Sequence, residues 1–226
     1  MAGNLRAFIA ETIGTFAWVL FAAGAVCTDA ALGGRLGLPG VAAAQGLAIA
    51  AVFGLFGRYS PGMFNPAFTL ALAALKRLDS VKTALCLVCQ LLGAALAGLF
   101  LAKIFAHYPV VDGPPHLGTP IPAGLGFRAA TLMEAVLTFF LALAARRVWG
   151  EHRAGSASVL VLGAIAVAAA LVGGPLTGAA LNPARAFGTA VASGYWTQHY
   201  IYWFGPIAGA VAGMFLSEFL FDGVKH

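Results

Sequence analysis

The triplet Asn-Pro-Ala occurs twice, as Asn65-Pro66-Ala67 and Asn182-Pro183-Ala184, each time heading a short apolar stretch, 66–75 and 183–193. At about 1.5 Å rise per residue, ten or so residues reach roughly 15 Å, half of a bilayer core. Asparagine is a favoured N-cap, and proline at the first helical position gives up an amide that would be unpaired there anyway. Each stretch therefore reads as a half-helix that begins near the middle of a membrane. Six further apolar runs, about 5–27, 40–58, 82–106, 126–148, 156–174 and 200–221, approach the roughly 20 residues that a full crossing needs.

Composition agrees. Of 226 residues, 61% are hydrophobic and 9% charged, whereas a soluble domain carries about a quarter charged residues and under half apolar ones. A soluble enzyme, a nucleic-acid binder and a disordered chain are excluded. Thirteen Lys and Arg against eight Asp and Glu give a net charge of +5, a surplus expected on cytoplasmic loops of a membrane protein rather than a mark of nucleic acid. The first run is too long for a secretory signal core and carries Glu11, so it is read as a transmembrane helix. Cys27, Cys86 and Cys89 give neither a disulfide framework nor a metal spacing. No metal and no cofactor is expected.

The chain repeats itself. Glu11-x-x-x-Thr15-Phe16 is answered by Glu134-x-x-x-Thr138-Phe139, and the two Asn-Pro-Ala triplets follow those glutamates by 54 and 48 residues. Gly93 and Ala97 are answered by Gly209 and Gly213. Each half holds three full spans and one half-span. Three is odd, so the second half enters the membrane upside down. The fold class is an all-α integral membrane protein of six transmembrane helices plus two re-entrant half-helices. Its inverted repeats, about 1–108 and 124–226, form one channel domain over 1–226, joined by an extracellular Pro/Gly-rich loop at 107–125. With both termini cytoplasmic, nine Lys and Arg lie on inside loops and ends against four outside, the positive-inside bias.

Half-helices entering from opposite faces meet with their N-termini at the membrane centre. Each end carries about half a positive charge and unpaired amides, so the pair repels cations at the midpoint. The Asn65 and Asn182 amides can donate to a passing neutral oxygen. Non-helical approach segments leave carbonyls around Gly62, Met63 and Phe64 and around Ala179, Ala180 and Leu181, tolerated at membrane depth only along a watery path. The result is a narrow polar track with an electrostatic barrier to cations and protons.

Ser60-Pro-Gly-Met-Phe-Asn-Pro-Ala-Phe-Thr69 and Gly174-Pro-Leu-Thr-Gly-Ala-Ala-Leu-Asn-Pro-Ala-Arg-Ala-Phe-Gly188 resemble the paired signatures of the aquaporin, or major intrinsic protein, family. The resemblance extends over essentially the whole chain and includes Trp203-Phe204-Gly205-Pro206 opening the last helix. It implies a homotetramer in the lipid bilayer, with one pore per subunit that passes water or small uncharged solutes. By offset from the motifs, it implies that Gln45, Ala170, Ala179 and Arg185 form the outer constriction, and that Glu11 and Glu134 are buried carboxylates accepting from the re-entrant loops. The short termini point to a prokaryotic chain in a bacterial inner membrane.

Some positions depart from the family pattern. Water-selective members resemble a Phe/His pair where this chain has Gln45 and Ala170, and glycerol facilitators place aromatic rings there. An arginine facing two methyl groups and an amide implies a wide, fairly polar opening for glycerol, urea, ammonia or metalloid acids besides water. Ala186, Ala190 and Tyr202-Trp203 resemble the water-channel side, which keeps a strictly water-selective pore as the alternative. Met63 replaces the usual histidine. Phe8, Trp18, Tyr200 and Trp203 read as core or interfacial-belt residues, Gly205, Gly209 and Gly213 as a helix-packing ladder, and His107, His116, His152 and His199 as loop or helix-end residues. A secondary transporter is the main rival, since inverted repeats and broken helices build those too, but no acidic residue lies in either motif. A membrane enzyme lacks a nucleophile–base pair, metal-ligand spacing or phosphate loop.

Overall fold

The computed structural model describes residues 2–106, 108, 116–150 and 156–222; His107, His152 and residues 109–115 of the long loop lie outside them. Eight α-helices follow in order: α1 Ala2–Ala31, α2 Gly37–Phe56, α3 Pro66–Ala74, α4 Ser80–Phe105, α5 Phe127–Gly150, α6 Ser156–Thr177, α7 Pro183–Ser193 and α8 Ile201–Ser217. A 3-10 turn follows α2 at Gly57–Tyr59, a second stands alone at His116–Gly118, and a π turn, Glu218–Asp222, extends α8. Among the described residues there is no strand.

Six of the helices are long and apolar enough to cross a membrane; α3 and α7 are the two short ones. Both short helices start as their sequences dictate. The Asn65 side chain caps α3 by accepting from the Ala67 amide, and Asn182 caps α7 through the Ala184 amide, with proline at the first helical position in each. Helix α7 stops at Gly194, whose left-handed φ of 71° suits a C-terminal glycine. Asp79 caps α4 through the Lys82 amide.

Helix pairing repeats between the halves. α1 packs on α2 and α4 as α5 packs on α6 and α8, while α3 lies against α8 and α7 against α4, so each half-helix docks on a helix of the other half. The correspondence reaches single atoms. A methyl added at Gly93 would stand 2.2 Å from the Thr12 carbonyl oxygen, and one at Gly209 would stand 2.0 Å from that of Ala135. Thr12 and Ala135 each follow one of the repeated glutamates, so glycine permits the same close helix crossing twice. Around this frame the outer face is apolar: Leu47, Leu55, Val88, Leu132, Leu160, Phe204 and Phe219 are all exposed. In water such a surface would be a severe liability; against lipid tails it is a solvated one. The chain is a multi-pass membrane protein.

Candidate functional site

The two approach segments, Ser60–Asn65 and Thr177–Asn182, run through backbone that L-residues seldom adopt. Met63 and Phe64 both have φ of 59°, and Ala179 and Leu181 have φ of 42° and 58°. Left-handed backbone costs non-glycine residues about 1–2 kcal/mol each, so strong local restraints must hold it. Two buried carboxylates supply them. Glu11 on α1 accepts from the Gly62 amide at 2.6 Å and the Phe64 amide at 2.9 Å, and also from the Ser60 hydroxyl and, at 2.7 Å, the Gln90 amide. Glu134 on α5 accepts from the Ala180 amide at 3.0 Å, the Leu181 amide at 2.9 Å and the Thr177 hydroxyl at 2.6 Å. Both glutamates are fully buried. The unwound segments thus find inside the protein the acceptors that lipid cannot offer.

At the centre the two motifs are stitched together. The Asn65 amide donates to the Leu181 carbonyl at 2.9 Å, and the Asn182 amide donates to the Phe64 carbonyl at 3.0 Å. Each amide nitrogen carries two hydrogens; one is committed across the seam and the second is left for another acceptor.

Two of the approach carbonyls also meet donors of the scaffold. The Gly62 carbonyl lies within hydrogen-bond reach of the Thr69 hydroxyl and the Gln90 amide, and the Phe64 carbonyl accepts from the Thr15 hydroxyl and the Asn182 amide. The Thr69 and Gln90 donors are shared with other acceptors of the same network. Met63, Ala180 and Leu181 are buried beside them.

Toward the other end, Gln45, Ala170, Ala179 and Arg185 are exposed by 3%, 5%, 1% and 2%. The Gln45 amide turns onto the Ala179 carbonyl at 3.1 Å, which ties two of the four positions to each other. Arg185 donates from Nη1 to the Gly118 carbonyl at 2.6 Å. The turn carrying that carbonyl is itself strained, with φ of 37° at His116 and 55° at Leu117. His116 stacks on Tyr195 with ring centroids 4.0 Å apart, and Thr119 meets the Ser193 hydroxyl at 3.1 Å. His199 packs on Trp196 and Tyr202, and burial pushes its pKa below the ordinary histidine value.

Sequence reasoning missed several of these groups. Ser60, Gln90 and Thr177 complete the carboxylate networks, Tyr202 donates to the Thr177 carbonyl at 2.8 Å, and Gly118 supplies a backbone acceptor. Gln90 had a legible signal, since it is the lone amide in the apolar run of α4; a polar side chain at membrane depth needs a partner. Gly118 had none, because the feature that matters is a carbonyl. Among the described residues there is no cluster of metal-ligating side chains, and the three cysteines are free.

Six crossing helices, two half-helices meeting at their N-termini and two strained loops pinned by buried carboxylates define a membrane channel of the inverted-repeat kind. The family model of the major intrinsic proteins matches residues 1–217, and the chain belongs to that family. It is 39% identical to aquaporin TIP4-4 of Zea mays, over 99% of this chain and 88% of the relative. It is 35% identical to aquaporin NIP1-1 of Oryza sativa subsp. japonica, over 92% of this chain and 72% of that one. In fold it is similar to the X-ray structure of the aquaglyceroporin from Plasmodium falciparum, with a TM-score of 0.80, 22% identity and coverage of 98% and 96%. The chain is accordingly a channel for water and small solutes, not an enzyme.

Proposed function

We propose that the channel is passive, that it conducts water and small uncharged solutes, and that it rejects ions and protons at the crossing of Asn65 and Asn182. The carrying observation is the reciprocal stitch, Asn65 to the Leu181 carbonyl and Asn182 to the Phe64 carbonyl. It fixes two positive helix ends at one point, with amide donors beside them. Pro66, Ala67, Pro183 and Ala184 serve by starting the half-helices there. Glu11 and Glu134 act as loop supports rather than proton relays, because their oxygens are already taken by backbone and side-chain donors. Arg185 is the fixed cation of the outer constriction, with Gln45, Ala170 and Ala179 as its other walls.

Two readings of solute range follow. The small side chains at 170 and 179 favour glycerol, urea, ammonia or metalloid acids in addition to water. The near-complete burial of all four constriction residues favours a strictly water-selective pore, since a gap wide enough for glycerol would leave its walls open. The orientation follows the positive-inside bias, with both termini cytoplasmic in the plasma membrane of a bacterium. The working form is a homotetramer, which covers part of the exposed apolar belt.

Stopped-flow light scattering on one proteoliposome preparation tests the solute range. Glycerol and urea influx well above that of empty vesicles supports the wide constriction. Fast water efflux with solute influx at the empty-vesicle rate supports the water-selective pore. Saturable, counter-ion-dependent flux would overturn the channel in favour of a transporter.

A further inference from the structure

We infer that Trp18 is a specificity-determining residue at the midpoint of the passage, its indole N–H serving as a hydrogen-bond donor to the permeating molecule and its ring as the wall that limits width there. This rests on the channel reading above.

Trp18 is fully buried, and no protein group accepts its Nε1 hydrogen. A buried indole N–H normally finds a partner, and an unmet one costs about 1–3 kcal/mol. Its position shows what the partner is. Glu11, Thr15, Trp18 and Ala22 follow one another at helical spacing along one fully buried face of α1. The first two hold the loop that delivers Asn65: Glu11 takes its amides, and Thr15 donates to the Phe64 carbonyl, the one that also receives Asn182. Trp18 is one turn further along the same buried face. Its ring lies 6.5 Å from that of Phe68, three residues into the half-helix headed by Asn65, and 6.4 Å from that of Phe53 on α2. The buried apolar cluster it belongs to also takes in Ile49 of α2, Ala67 of α3, and Phe64, Ala179 and Leu181 of the two approach segments.

The orphan donor therefore sits one helical turn from the residues that hold the Asn65 loop, in an aromatic wall of Trp18, Phe53 and Phe68. A neutral oxygen, of water or of a small hydroxylated or amide solute, is the acceptor such a place suits. A cation finds no carboxylate there, because those of Glu11 and Glu134 are engaged by the loops. The wall is a second width limit, at the half-helix crossing on α1, separate from the outer constriction that carries alanine at 170 and 179.

The test compares the parent protein with Trp18→Phe, Trp18→Leu and Phe68→Val in proteoliposomes, scoring water, glycerol and urea rates per folded channel. Trp18→Phe keeps an aromatic ring and removes the donor. Its water permeability is expected to fall about fivefold, the factor that one neutral hydrogen bond carries. Trp18→Leu opens the wall and is expected to raise glycerol and urea influx about tenfold or more. Phe68→Val opens the same wall while leaving Trp18 in place and is expected to do the same, which keeps the wall testable if Trp18→Leu folds poorly. Parental water flux in Trp18→Phe overturns the donor role. Parental solute influx in the wall variants overturns the width role. If the parent vesicles shrink no faster than empty ones, the channel reading fails and the inference falls with it.

Discussion

The guanidinium of Arg185 and the carbonyl of Gly118 are joined at 2.6 Å, across 67 residues of sequence. That bond couples the start of the second half-helix to a turn in the long loop between the halves. Gly118 reaches its position at φ of 70°, and a methyl placed on it would stand 2.7 Å from the Ala23 carbonyl oxygen. Gly118→Ala should therefore push the turn away from α1 and release Arg185. Gly124 is the natural control: its φ is 71°, but nothing lies within 4 Å of an added methyl. Gly124→Ala should cost only the left-handed penalty of about 1–2 kcal/mol. Gly118→Ala should cost a further 1–3 kcal/mol or so from overpacking and alter solute discrimination, read by thermal unfolding in detergent and by flux.

Glu134→Ala removes the acceptor for two backbone amides and one hydroxyl at once. With each unpaired buried group worth about 1–3 kcal/mol, stability should drop by roughly 3 kcal/mol or more. Glu134→Gln, which keeps a carbonyl oxygen, should lose less. The check is the yield of monodisperse protein and its melting temperature. Well-folded Glu134→Ala with parental flux would contradict the loop-support role.

Gln45→Phe combined with Ala170→His fills the proposed constriction. Glycerol and urea influx, where the parent shows it, should fall severalfold while water flux is spared. Unchanged influx in a folded double variant would remove Gln45 and Ala170 from the constriction.

Asp79 adds an acid-sensitive cap at the start of α4. The Lys82 amide at 2.8 Å and the Lys82 ammonium at 3.1 Å hold its carboxyl below the ordinary 3.8. A carboxylate depressed in the folded state contributes stability above its unfolded pKa and loses it as pH falls through the folded one. Thermal stability should therefore decline below about pH 4, and Asp79→Ala should lower it at neutral pH while flattening that decline. Melting curves from pH 3 to 7 on both proteins measure this.

Much of the fold was legible because the membrane leaves few options. Span length, the half-length of the two Asn-Pro-Ala stretches and the repeated Glu-x-x-x-Thr-Phe are one-dimensional signals, and each corresponds to a helix or a cap in the structure. The buried site was less legible where it depends on geometry. Offset from the motif proposes Gln45 for the constriction, but its turn onto the Ala179 carbonyl depends on rotamer and loop shape. The donors near the Gly62 and Phe64 carbonyls, Gln90, Thr69, Thr15 and Asn182, were not legible because they come from four other segments. Trp18 read as a core aromatic; only the burial of its N–H without a protein acceptor distinguishes it.

The central claim is selective passage of neutral molecules through the crossing of Asn65 and Asn182. The most direct test measures osmotic shrinkage and proton leak on the same proteoliposomes across a range of protein densities. The account predicts that shrinkage rises with channel density while the leak of an imposed pH gradient stays at the empty-vesicle rate. A leak that climbs in step with density, or shrinkage that does not change, would contradict it.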